Sequence, residues 1–133
     1  PKGIKARGEL RQSQGHVIDV VPTVLELAGL PKAYPGPGAP AGPGRSLVST
    51  FAKDVAVKRD YLWWAHEGNR AIRVADWKLV AAKGQPWELF DISKDRAEAR
   101  NLAKEFPEKV KELERLWQRG DEQYIRDAGW QKK

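Results

Sequence analysis

The sequence predicts an α+β chain in which a small antiparallel four-stranded sheet packs against a C-terminal helix, with a further helix attached near the start. Three observations predict this. Strand-like alternation broken by turn residues runs from Tyr61 to Ile92. Apolar residues recur at three- and four-residue spacing from Phe106 to Tyr124. A run of prolines and glycines separates this part from an earlier apolar segment.

The earlier segment is "IDVVPTVLELAGL", Ile18 to Leu30, which reads as a short helix over 18–29. Asp19 is a plausible N-cap, because its carboxylate can accept from the unpaired amides of a first turn. Pro22 falls where a missing N–H costs little, and Gly29 suits the left-handed residue that ends a helix. Val20, Val21, Val24, Leu25, Leu27 and Ala28 spread apolar surface around much of the circumference, so the helix needs cover on more than one side. From Pro31 to Arg45, "PKAYPGPGAPAGPGR" lacks the donors and the stiffness for helix or central strand.

The sheet should use "YLWW", "RAIRV", "DWKLVAA" and "PWELFDI", with turns at Gly68–Asn69 and Ala75–Asp76 and an entry to the fourth strand through "KGQP". "DISKDRAEARNLA" reads as a turn-rich connection. Pro107 suits the first position of a helix running to about residue 127, with Glu108 beside its positive end. Phe106, Val110, Leu113, Trp117 and Tyr124 make its apolar stripe.

With 133 residues the chain could bury roughly two-thirds of its unfolded surface. Mean hydropathy is −0.66, so any core must be narrow and well patterned. The net charge of +6 admits a polyanionic partner, but the basic residues are spread and alternate with Glu between Glu98 and Arg115. No aromatic–basic strand motif or helix-turn-helix pattern supports a nucleic-acid partner. No apolar run approaches the roughly 20 residues of a membrane span and no signal-peptide pattern is visible, so no membrane partner is expected.

Cysteine is absent, which removes disulfides, thiolate ligands and cysteine nucleophiles. His16 and His66 lie far apart and in no metal-ligand spacing. The prolines in "GPGAPAGPG" remove the amides that a phosphate-cradling loop uses. Ser46 with His66 is a nucleophilic pair on paper only. His66, beside Glu67 and Asn69, could hydrogen-bond an anionic or polyhydroxyl ligand, or be a turn residue packed near Trp64. Arg70 and Arg73 fall on opposite faces of a strand, so at most one enters a given pocket; for either, packing of the stem on tryptophan is the plainer role.

Several segments, in order, resemble the C-terminal end of arylsulfatase-type sulfatases of the alkaline-phosphatase-like superfamily. They are "PKGI", "GHVIDVVPTVLELAGL", "GRSL", "HEGNRAIRVADWKLV", "PWELFDISKDRAEARNLA" and "PEKVKELERLW". The resemblance implies a division into residues 1–35, the terminal piece of the large α/β domain; 36–50, a linker; and 51–133, a C-terminal subdomain. It implies hydrolysis of aryl or carbohydrate sulfate esters by a parent enzyme using formylglycine and calcium. Those elements belong N-terminal to this region: the chain has no Cys, no S-x-P-x-R and no paired N-terminal aspartates, so no catalytic or metal-ligating residue is expected in it.

His66, Glu67, Asn69 and Arg70 match the family's "HEGNRA" and are expected at the substrate-pocket rim, recognising the sugar or aryl part. His16 and Asp19 match "HVIDxxPT" and are expected to be structural, with His16 buried. Ala65 stands where members often carry Glu, so substrate preference need not carry over. The implied partners are the N-terminal catalytic portion of the same protein and a sulfated small molecule or glycan. The implied compartment is periplasmic or secreted.

On this reading the chain is a fragment, inactive alone, which agrees with the absence of Met. In isolation it should expose apolar surface from residues 1–50, and dimerise, swap that segment or leave it disordered. The alternative is a stand-alone module that binds anionic, sulfated polysaccharide.

Overall fold

The computed structural model describes residue 4, residues 8–30 and residues 42–129. Most of "PKGI" and of the Pro/Gly run lies outside the described residues. The chain forms two compact units, Pro1–Lys58 and Arg59–Lys133.

In the first unit a single 3-10 turn, Val17–Asp19, leads directly into helix α1, Val20–Leu27. Asp19 does not cap α1 with its side chain, contrary to the expectation from sequence. It is fully buried: Oδ2 accepts the His16 amide at 2.8 Å and Oδ1 accepts the Arg45 amide at 2.8 Å. The side chain that caps the 3-10 turn is that of His16, which is half-buried rather than buried, and whose Nδ1 accepts from Ile18 N at 3.3 Å. Thr23 continues the tie, donating to the Asp19 carbonyl and accepting from the Leu47 amide.

Gly29 ends α1 as expected, with a φ of +66°. Its amide bonds Glu26 O and the Leu30 amide bonds Leu25 O, which is the paired pattern of a Schellman cap. Val17, Val20, Val21, Val24 and Leu27 are 55–77% exposed and recur at helical spacing. A stripe this apolar left open to water is what the sequence anticipated for this helix. A one-turn helix, α2, Ser49–Ala52, follows, and Asp54 accepts the amides of Gln12 and Ser13.

The second unit is the expected meander. Strands β1 (Leu62–His66), β2 (Asn69–Val74), β3 (Trp77–Ala81) and β4 (Glu88–Asp91) pair antiparallel in sequence order. Trp63, Ile72, Leu79 and Leu89 are cross-strand partners in one row, so they share a face. Helix α3, Pro107–Asp127, covers that face. Ile72, Leu79, Leu89 and Leu113 are wholly buried, with Val110, Leu116 and Trp117 packed around them. The stripe read from sequence holds at its centre, whereas Phe106 and Tyr124 at its ends remain partly exposed.

Both edge strands are engaged from outside the sheet. The Trp117 indole donates to Trp64 O on β1 at 2.9 Å, and the Trp63 indole donates to Trp117 O at 3.1 Å. On β4, Asn101 Oδ1 accepts from Leu89 N, and Leu102 N donates to Leu89 O. The bonds to Trp64 O, Leu89 N and Leu89 O use main-chain groups that would otherwise template a further strand.

Two predictions follow from these ties. A Cβ on Gly44 would run into the Ile18 carbonyl, so Gly44→Ala should cost the first unit about 2 kcal/mol or more. Hydrogen exchange checks this: the Arg45 and Leu47 amides should lose protection. The Asp95 carboxyl, in the second unit, sits below the usual carboxylate range because the Arg100 amide, then that of Ala99, bonds to it. A folded value below the unfolded one gives stability that is present above about pH 4 and lost as pH falls through the folded value. The Arg100 amide resonance should follow that titration, and Asp95→Asn should remove it.

Candidate functional site

The β1–β2 hairpin turns on Glu67–Gly68, one residue earlier than the sequence suggested, since His66 pairs with Asn69. Glu67 has φ +50° and Gly68 φ +88°, the paired left-handed conformation of a type I′ turn. Glutamate is an unfavourable first residue for such a turn, which is why the sequence alone favoured Gly68–Asn69.

Pairing places His66 and Asn69 at one position of the ladder and Arg70 opposite Ala65 at the next, so the four residues expected at the rim divide between two faces. His66 and Glu67 stand out at the tip, 83% and 80% exposed, with Nε2 and Oε2 3.8 Å apart. That contact is an ion pair when the imidazole is protonated. Asn69 bridges: its Nδ2 donates to His66 O at 3.0 Å and its Oδ1 accepts the Lys83 amide at 3.1 Å.

Arg70 lies on the α3 side. Its guanidinium stacks 4.3 Å from the Trp87 ring and 5.9 Å from that of Trp117. Its Nη2 donates to Gln85 O at 3.2 Å. Trp87 is held in turn by an indole hydrogen bond to Glu114 at 2.9 Å. Arg73, on the opposite face, bonds the Ala75 carbonyl beside it.

A shallow, open depression of about 540 Å³ lies at the tip, lined by Glu67, Gly68, Asn69 and Lys83. Lys83 and Trp87 were not singled out from sequence, because the fold of the β3–β4 loop brings Lys83 to the tip and Trp87 under Arg70. Chemically the depression offers a carboxylate and an amide for hydroxyl groups and an ammonium for an anion. No nucleophile or general base sits there in hydrogen-bonded pairing among the described residues. His16 and Asp19 belong to the first unit, where they bond to each other, to Ile18 and to Arg45. Among the described residues no three His, Cys, Asp or Glu side chains converge as metal ligands.

The hairpin conformation yields a test. Glycine relieves the left-handed strain at position 67, so Glu67→Gly should raise stability by about 0.5–1 kcal/mol, read as a higher denaturant midpoint.

No family model matches this chain. An uncharacterized sulfatase of Schizosaccharomyces pombe is 34% identical over 110 residues, covering 76% of this chain and 20% of that protein. Arylsulfatase K of Danio rerio is 35% identical over 107 residues, covering 75% and 20%. The chain thus spans about a fifth of the length of these curated relatives. A solved structure in complex with its substrate, D-glucosamine-2-N,6-O-disulfate, superposes with a TM-score of 0.54 at 26% identity, over 80% of this chain and 24% of that one.

Proposed function

This chain belongs to the sulfatase family as a C-terminal region, and we propose that it forms one wall of the substrate pocket in a parent enzyme hydrolysing aryl or carbohydrate sulfate esters. The observation that carries this reading is the convergence of His66, Glu67 and Asn69 on one exposed hairpin tip beside Lys83. Exposed polar groups on a rigid two-stranded support suit recognition of a ligand's hydroxyl and anionic groups. They do not suit bond cleavage, which in this reading belongs to formylglycine and calcium in the part of the protein outside this chain.

The open stripe on α1 fits the same picture, with the remaining four-fifths of the protein as its cover. The chain alone is then inactive. Binding of sulfated polysaccharide by a stand-alone module is the weaker reading, because such a module gains nothing from an uncovered apolar helix.

Kinetics on the full-length protein test this. His66→Ala should raise KM for a sulfate ester more than it lowers kcat, since a rim contact is made in ground and transition states alike. Thermal stability should not move, because the side chain is exposed. The isolated chain should release no sulfate from 4-nitrophenyl sulfate. Wild-type kinetics in His66→Ala, or sulfate release by the chain alone, would contradict the proposal.

A further inference from the structure

The β3–β4 loop, residues 82–87, is pinned to the β1–β2 hairpin at two adjacent residues. Asn69 Oδ1 takes the Lys83 amide, and Arg70 Nη2 holds the Gln85 carbonyl. The loop closes on itself through Gln85 N to Ala82 O at 2.9 Å, with Gly84 at φ +73° supplying the reversal. Trp87 anchors its far end beneath the Arg70 guanidinium. Gly68 completes the fit: a Cβ there would stand 2.9 Å from Lys83 Cγ, so the lysine stem lies across the bare turn.

The result is an exposed lysine whose main-chain amide is tied down and whose stem runs along the Gly68 turn. Lys83 is exposed and has no carboxylate within ion-pair distance among the described residues. Lys78, Lys94, Lys109 and Lys111, by contrast, each hold one. Beside it the depression supplies Glu67 and Asn69.

We propose that Lys83 is a specificity-determining residue that binds a second anionic group of the substrate, a sulfate or carboxylate other than the ester being cleaved, and that Asn69 and Arg70 are positioning residues for its loop. This rests on the pocket-wall reading above. A held stem loses less conformational entropy on binding than a free lysine, and an ammonium without a partner gives up no internal ion pair. A strongly hydrated point charge on a rigid loop selects for an anion at one location rather than for overall charge. The adjacent Glu67 carboxylate favours sugar hydroxyls next to that anion, which makes a multiply charged saccharide the matching class.

The full-length enzyme tests this with three probes. D-glucosamine-2-N,6-O-disulfate carries two anionic groups, N-acetyl-D-glucosamine 6-O-sulfate carries one, and 4-nitrophenyl sulfate has no sugar. In Lys83→Gln the ratio of kcat/KM for the first probe to that for the second should fall about tenfold, the scale of one lost charged hydrogen bond. Lys83→Arg should recover most of it. Asn69→Ala should lower the same ratio, and adding Lys83→Gln should then change little, as for residues acting through one contact. An unchanged ratio in Lys83→Gln overturns the proposal. Turnover of 4-nitrophenyl sulfate but of neither sugar also overturns it while leaving the pocket-wall reading standing. No turnover of any probe removes both.

Discussion

The second unit depends on a reciprocal pair of indole hydrogen bonds. Trp63 on β1 donates to the main chain of α3, and Trp117 on α3 donates to the main chain of β1. Each bond satisfies a carbonyl of the other element, so helix and sheet edge are registered as well as packed. The two rings lie 6.0 Å apart and nearly stacked, with Tyr124 5.6 Å beyond Trp63 and Trp87 edge-on to Trp117 at 5.8 Å. Buried area alone would let the helix slide along the three buried aliphatic residues of the sheet, Ile72, Leu79 and Leu89; directional bonds between fixed donors and acceptors do not. Gly120 belongs to the same contact. It leaves room for the Trp63 ring, which a Cβ would approach to 3.0 Å, and so accepts the helix-propensity cost of glycine at that position.

From this lock a chain of contacts runs to the hairpin tip. Trp117 meets Trp87, Trp87 carries the Arg70 guanidinium, and Arg70 holds Gln85 in the loop that presents Lys83. The polar groups at the tip are therefore exposed but not loosely held. That combination suits recognition, where ordering a side chain on binding would cost affinity. The first unit has a different logic: a buried carboxylate and a threonine hydroxyl tie α1 to residues 45–47, and one apolar face is left open.

Local periodicity made much of this legible. The four strands, the Ala75–Asp76 turn, the limits of α3 and the Gly29 cap follow from two-residue alternation, 3.6-residue recurrence and the backbone freedom of glycine. What escaped was set by partners far away in sequence. Asp19 sits where an N-cap belongs, but its oxygens go to amides of His16 and, 26 residues on, Arg45. Glu67 takes a left-handed φ that its side chain disfavours, so the turn slipped by one in the sequence reading. His66, Glu67 and Asn69 were visible as a motif. Lys83, Gln85 and Trp87 were not, because nothing in "AKGQPW" indicates that it folds back on the hairpin.

The most direct test of this account is amide hydrogen exchange at Lys83 in the wild type and in Trp117→Phe. The substitution removes the indole donor and keeps an aromatic ring in the core. If the tip is held through the Trp117–Trp87–Arg70 chain, the Lys83 amide should exchange markedly faster in the variant, along with amides of β1. If the amides of β1 lose protection while Lys83 keeps its own, the loop is held by the hairpin alone and the central claim fails.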